Sequence, residues 1–402
     1  MSLTDFKPQF DNAYEEVFQK VLVAKEVMNT RFEPVLRYGA SIERVAYDIS
    51  GVVVRAVTRG AASTIDPITD TNELLTINLE YEAVFHISDG EVTQAGPLNP
   101  GEEIGKQVGM KVAIDLDARC FAEVLNALYD FDNGDLTTTS STGTPITLNS
   151  TTVPQLVSRL GAKLRNKNNQ EIATNMVMVV DSYAASDIAQ YLLGKNIDLA
   201  GYVFKNGYTG DISNAQMYVS ENLTGEAVLY TPQTPTDGDT VVIGGVTFTF
   251  RTTLGSTAGA VLISGSADAA RANLTALINA PETTTTYGVA LSAADQATIQ
   301  QALKLVATNS NSADTMTIVG TGSGRLTLSG TLTNTNNTWS KNFIHAYFGK
   351  RGAIDLVVQD MKKVDMRKTP DRRGTNVFSS YLAGVKTFSD GAKKFLDVLI
   401  AA

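Results

Sequence analysis

The chain has 402 residues, a net charge of -9 and a single cysteine, Cys120. That length exceeds one ordinary domain, so two or three packed units are expected. The acidic balance excludes a general phosphate-binding surface, and the lone cysteine excludes an internal disulfide. No basic N-terminal region leads into an apolar run, and no window reaches the roughly 18 apolar residues of a bilayer span. A soluble, cytosolically made protein with no membrane segment is expected.

In chain order, 10–32 places Val17, Val21, Ala24 and Met28 at helical spacing, with Asp11 or Asn12 as a cap. Two alternating runs follow, 52–58 and 75–87, joined by a turn-rich tip, and together they predict a long hairpin. On the second run Leu75, Ile77, Leu79, Tyr81, Phe85 and Ile87 share one face. A long two-stranded ribbon is marginal by itself and needs a surface to lie on.

Asn99, Pro100, Glu102 and Glu103 then form a strong helix start. Ile104, Val108, Val112, Leu116, Cys120, Val124 and Leu128 recur at helical spacing, predicting a long spine helix over 101–130, with Gly105 and Gly109 weakening its first turns. Helices near 153–164 and 182–193 flank a buried strand at 176–180. The stretch NGYTGDISNAQMYVSENL, 206–223, reads as a turn leading to an edge strand. From Thr231 to Asn337 the composition turns to threonine, glycine and asparagine, with about ten charged residues, well below the usual quarter. A hairpin turning at Gly244 and Gly245, a helix from Ser266 and further strands predict a small α+β unit there. The final segment returns to strand-like alternation, so 231–337 is expected to interrupt one domain.

Chemistry is scarce. His86 and His345 have no metal-spaced partners, and Cys120 falls among the apolar positions of the spine helix. GTGSGR, 320–325, lacks the lysine of a phosphate loop and runs into a strand. Asp237 and Asp239 fit turn residues better than calcium ligands. No catalytic, metal or cofactor-binding residues are expected, and the chain reads as no enzyme. A basic run at Lys362, Lys363, Arg367, Lys368, Arg372 and Arg373, interrupted by Asp360, Asp365 and Asp371, reads as a solvated or subunit-bridging face, with nucleic-acid contact as the alternative.

This order of parts, with NGYTGDISNAQMYVSENL and the closing run KRGAIDLVVQDMKKVDMRKTPDRRGTNVFSSYLAGVKTFSDGAKKFLDVLIAA, resembles the major capsid proteins of tailed phages with the Hong Kong 97-like fold. The resemblance implies an α+β chain with an N-terminal arm (1–47), an E-loop hairpin (48–95) and a P-domain with its spine helix (96–150). It further implies an A-domain (151–230), an inserted Thr/Gly-rich domain (231–337) on the outer surface, and a return through the A-domain and terminal P-domain strands (338–402). The function implied is self-assembly as hexamers and pentamers into an icosahedral head enclosing double-stranded DNA without sequence-specific binding. Assembly would take place in the host cytoplasm, with scaffold, portal and decoration proteins as further partners. Subunit-interface candidates are Leu75, Ile77, Leu79, Tyr81, Phe85, Lys362, Lys363, Arg367, Arg372 and Arg373. An encapsulin-like nanocompartment shell and a phage tail structural protein are the alternatives. The lysine-to-asparagine cross-link of part of that family is not expected, because 48–95 contains Arg55 and Arg59 but no lysine.

Overall fold

A computed structural model describes residues 3–36, 39–48, 52–56, 59, 65–88, 100–136, 143–168, 175–193, 211–212, 215–322, 324–368 and 373–402. The fold is mixed α+β. In chain order the principal elements begin with α1 (Leu3–Val21), β1 (Ser41–Asp48), β2 (Thr69–Thr76), β3 (Leu79–Ile87) and α2 (Pro100–Ala122). There follow β4 (Asp130–Phe131), α3 (Thr152–Asn168), β5 (Met176–Val180), α4 (Ser182–Leu193), β6 (Asp211–Ile212), β7 (Ala215–Val219) and β8 (Thr224–Tyr230). Next come β9 (Thr240–Ile243), β10 (Val246–Arg251), β11 (Ala260–Leu262), α5 (Ala267–Asn279), β12 (Leu305–Ser310), β13 (Thr315–Gly320) and β14 (Leu328–Thr331). The chain closes with β15 (Thr338–Lys350), β16 (Asp355–Lys368), β17 (Thr375–Lys386) and β18 (Phe395–Ala401). The chain divides into two compact units: 1–20, 27–112 and 352–394 form one, and 21–26, 113–351 and 395–402 the other.

In the first unit, α1 begins earlier than the spacing predicts and stops at Val21, so Asp11 and Asn12 lie inside it rather than capping it. Its buried side chains include Phe10, Tyr14 and Phe18, whereas Val17 is half-buried; Ala24 and Met28, expected on the same stripe, are buried beyond the end of the helix. The rings stack at 6.0 and 5.8 Å between centroids, and an aromatic row removes more area from water than a valine row. Helix α2 opens on Pro100, as its sequence predicts, but its α-helical part ends at Ala122 and a 3₁₀ turn takes Glu123–Asn126. Leu128, expected on the buried stripe, is half exposed. At a rise of 1.5 Å per residue α2 is about 35 Å long.

Gly105 and Gly109 explain how α1 meets α2. A Cβ on Gly105 would stand 2.7 Å from the Phe10 carbonyl oxygen, and one on Gly109 would stand 2.8 Å from that of Tyr14. The glycines that weaken the helix signal are what lets two backbones touch. Gly109→Leu is therefore expected to cost about 1–3 kcal/mol through overpacking. Met110→Leu, at an exposed neighbour, should stay within about 0.5 kcal/mol. Urea denaturation of both variants checks this, and equal midpoints would remove the close approach as an explanation.

The expected hairpin exists with different arms. β1 pairs antiparallel with β2, from Ser41↔Thr76 to Asp48↔Thr69, whereas 52–56 has no strand structure. The single run read over 75–87 is two strands. β3 leaves the ribbon and pairs with β17, placing Tyr81 opposite Tyr381 and Phe85 opposite Val377. A continuous alternation conceals this change of partner, because period two records which face is buried and not what covers it. β16, β17 and β3 form a three-stranded sheet in that order.

The second unit holds a nine-stranded sheet built on β15. Along one edge β15 pairs with β8 and then β5, and along the other with β18. β5, the all-buried MVMVV run, pairs parallel with β7, and β6 lies beyond it, so β7 is not the outermost strand. Residues 206–210, with Gly207 and Gly210, lie outside the described residues. Residues 231–337 contribute a four-stranded sheet, β11-β10-β9-β14, and also lend β12 and β13 to the nine-stranded sheet. Their core takes in Ala227 and Leu229 of β8 with Val241, Phe248, Leu274 and Ile318. The chain leaves at Tyr230 and returns opposite it at Thr338. The β9–β10 turn needs positive φ at Gly244 (58°) and Gly245 (86°), the left-handed pair that a tight hairpin favours.

Candidate assembly surfaces

The root of the β1–β2 ribbon is tied to its own chain. Ile42 faces Leu75 across the strands, and both join a cluster of Leu36, Val357 and Phe388 with Phe32 and Ile77. Two residue pairs further out, on the same face, Arg44 donates to Asp390 at 2.7 Å and lies over the Phe388 ring, while Glu73 accepts the Ser389 amide at 2.9 Å. Burial alone would raise the Asp390 carboxyl, but its bonds from Arg44 and Lys394 outweigh this and hold it down at about 2.

Of the interface candidates, Leu75 is fully buried within its own chain, and Ile77 is half-buried against the same cluster. A charge at Ile77 would disturb the fold and could not report on assembly alone. Leu79, Tyr81 and Phe85 share one face of β3, half-buried at Leu79 and Phe85 and exposed at Tyr81. Phe85 stacks on Phe10 at 6.2 Å, and Tyr81, 39% exposed, packs on Tyr381 at 5.8 Å.

What the ribbon leaves uncovered is a different set. Val45 and Leu74 lie on its outward face, and Val52, Val53, Val54, Ile65 and Ile68 crowd its far end, with Val54 99% and Ile65 90% exposed. The far end is shaped by Asp66, which accepts from the Val53 amide at 2.9 Å and pairs with Arg55 at 2.6 Å. Hydrogen bonds from Arg55 hold the Asp66 carboxyl below its usual value. In sequence these valines read as one arm of the long hairpin and the isoleucines as part of its turn-rich tip. Among the described residues no strand pairs with 52–56 or 65–68, and only this reveals them.

Among the basic residues, Lys362 and Lys363 lie in β16, with Lys362 opposite Ser380 and the register shifting between Lys362 and Asp365. Arg367 pairs with Asp365 at 2.7 Å and covers the Phe378 ring. Arg373 is exposed, and Arg372 lies outside the described residues. A groove of about 500 Å³ on this sheet is lined by Glu80, Tyr81, Glu82, Asp365, Arg367, Phe378 and Ser380.

The residues weighed for chemistry are built into the scaffold. Burial pushes the Cys120 thiol well up, away from nucleophilic use. Asp237 accepts the Thr252 amide at 2.7 Å, and Asp239 accepts those of Thr236 and Thr333. In GTGSGR, Arg325 bonds Asp181 and the Gly324 amide bonds the Leu223 carbonyl. Among the described residues no group of three or more His, Cys, Asp or Glu side chains could hold a metal ion, and no helix is long and apolar enough to cross a membrane.

His345 has more structure than its sequence context announces. Its Nδ1–H donates to Asp397 on β18 at 2.7 Å, and Nε2 faces Glu226 on β8 at 3.3 Å, so one imidazole spans three strands. Burial would lower its pKa, but the two carboxylates outweigh burial and raise it from 6.5 to about 9. The folded value lies above the unfolded one, so the contribution is complete below pH 6.5 and lost as pH rises through about 9. The melting advantage of the wild type over His345→Gln is expected to reach roughly 3 kcal/mol at pH 6 and to shrink between pH 7 and 10. An advantage constant across that range would show the imidazole to be neutral.

No family model matches the chain, and no curated protein matches it. Among solved structures it is similar to one from Mycobacterium phage Che8, at 14% identity and TM-score 0.49, over 93% of this chain and 90% of that one. It is also similar to the capsid structure of the cyanophage P-SCSP1u, at 11% identity and TM-score 0.46, over 90% of this chain and 84% of that one. A third likeness is to the mature capsid of bacteriophage PhiM1, at 11% identity and TM-score 0.43, over 90% and 82% of the two chains.

Proposed function

We propose that the chain is a major capsid protein of the Hong Kong 97-like fold that assembles as hexamers and pentamers into a closed shell around double-stranded DNA. The observation that carries this reading is the β1–β2 ribbon, anchored at its root by Leu75 and Arg44 and bearing exposed valines and isoleucines at its far end. Such a ribbon is stable as an extension only if something else covers it, and further copies of the same chain do so repeatedly in a shell. The long helix α2, the three-stranded sheet and the nine-stranded sheet fit the spine, P-domain and A-domain of that fold.

Residues 231–337 serve in this reading as an inserted domain on the outside of the shell. Its cations are engaged: Arg271 is buried, Arg251 pairs with Asp237, Lys304 with Asp115 and Arg325 with Asp181. A surface facing packaged DNA would instead present free lysines and arginines.

Negative-stain microscopy of the purified protein tests the reading. Closed polyhedral shells support it, while tubes or dispersed subunits under assembling conditions oppose it. Because 48–95 has no lysine, cohesion is non-covalent: an arginine keeps its proton and cannot replace a lysine amine as nucleophile. Boiling the particles in detergent should release a single 43.0 kDa band on a denaturing gel, and a ladder of covalent oligomers would refute that.

A further inference from the structure

Between the end of α1 at Val21 and the single helical turn at Ala24–Val27, the chain breaks at Leu22 and Val23. The break is held by one side chain from a distant part of the sequence. Asp117, on α2, accepts the Val23 amide at 3.0 Å with one oxygen and the Ala24 amide at 2.9 Å with the other. Asp117, Leu22 and Ala24 are all buried.

We propose that Asp117 is a proton-controlled latch on the N-terminal segment, holding the chain at Val23 and Ala24 more firmly in mild acid than at neutral pH. The direction follows from the surroundings. The groups acting on its carboxylate are the two amides, the Asn222 side chain and the low dielectric of the packing around it. The ionisable neighbour it acts on along its own helix, Cys120, and Glu123 of the following 3₁₀ turn bring no positive charge. On the facing turn, Lys25 and Glu26 are exposed to water. A carboxylate buried without a cation is costly to keep ionised, even when hydrogen-bonded.

Burial accordingly raises the Asp117 carboxyl from 3.8 to about 6, against the opposing hydrogen bonds. Opening the latch returns the group to water and to its ordinary value. The closed form therefore binds the proton more tightly, and proton loss favours opening. Protonation leaves one oxygen able to accept an amide while removing the uncompensated charge. The latch belongs to the single subunit and does not rest on the shell reading, so its failure would leave that reading untouched.

Hydrogen–deuterium exchange on the full chain tests it, with rates corrected for the intrinsic pH dependence of amide exchange. In the wild type, protection at Val23 and Ala24 should fall about tenfold between pH 5 and pH 8, while amides of β5 in the same unit stay level. In Asp117→Asn the pH dependence at these two amides should vanish. A wild-type profile that is flat, or that gains protection as pH rises, overturns the proposal. So does a wild-type pH dependence that persists in Asp117→Asn. If that variant fails to fold, the wild-type profile against β5 decides alone.

Discussion

Val54→Asp combined with Ile65→Asp is expected to abolish particle formation while leaving the subunit's stability within about 0.5 kcal/mol of wild type. Both side chains are almost fully exposed, at 99% and 90%, so the subunit's own core loses nothing. In a contact between copies, each would bury an aliphatic group worth about 1.5–3 kcal/mol. The aspartates reverse that sign, because an unpaired charge resists burial. The loss is multiplied over every ribbon in a particle, so yield should drop below detection. Size-exclusion chromatography and microscopy read the assembly, and a thermal melt reads the subunit. Particles at wild-type yield would mean that the far end of the ribbon is not an interface. Loss of the fold would mean that it packs on its own chain.

Arg271→Met is the second large effect, and it acts on the fold. Arg271 is the largest fully buried side chain. From α5 it donates to the Thr231 carbonyl at 2.7 Å and to Asn309 on β12 at 2.7 Å, and it also bonds Asp268. Asp314, in the β12–β13 turn, lies 3.6 Å from the same guanidinium. Arg271→Met leaves the Thr231 carbonyl buried without this donor, while the Asp268 and Asp314 carboxylates, 50% and 42% exposed, can turn to water, so the cost is about 1–3 kcal/mol. Arg271→Lys should recover only part of this, because an ammonium cannot spread donors over three directions. The expected readouts are a lowered melting transition and faster proteolysis within 305–314. A Met variant that melts with the wild type would show these acceptors to be satisfied otherwise.

The sequence alone determined what depends on local pattern. Periodicity placed α3, α4 and the buried β5, Pro100 marked the start of α2, and the paired glycines at 244 and 245 marked the β9–β10 turn. The apolar face from Leu75 to Ile87 was also legible, because alternation reports burial directly. Only the tertiary structure decided what covers that face. The cover is Phe10 of α1 over Phe85 and the Phe388 cluster over Leu75 and Ile77, while β17 pairs beside β3, all of them elements far away in sequence whose contacts leave no mark in a local window.

The candidate site shifted for the same reason. Leu75 and Ile77 look like surface awaiting a partner until the chain's own residues are found on them. Val54 and Ile65 look like parts of a strand and a turn until, among the described residues, no strand is found against them. Asp117 and Arg271 carried no signal at all. A buried charge is identified by the amides and carbonyls that gather round it, and those come from 93 positions away for Ala24 and 40 for Thr231. Local spacing sets which side chains share a face, whereas long-range packing sets which of those faces remain open to another molecule.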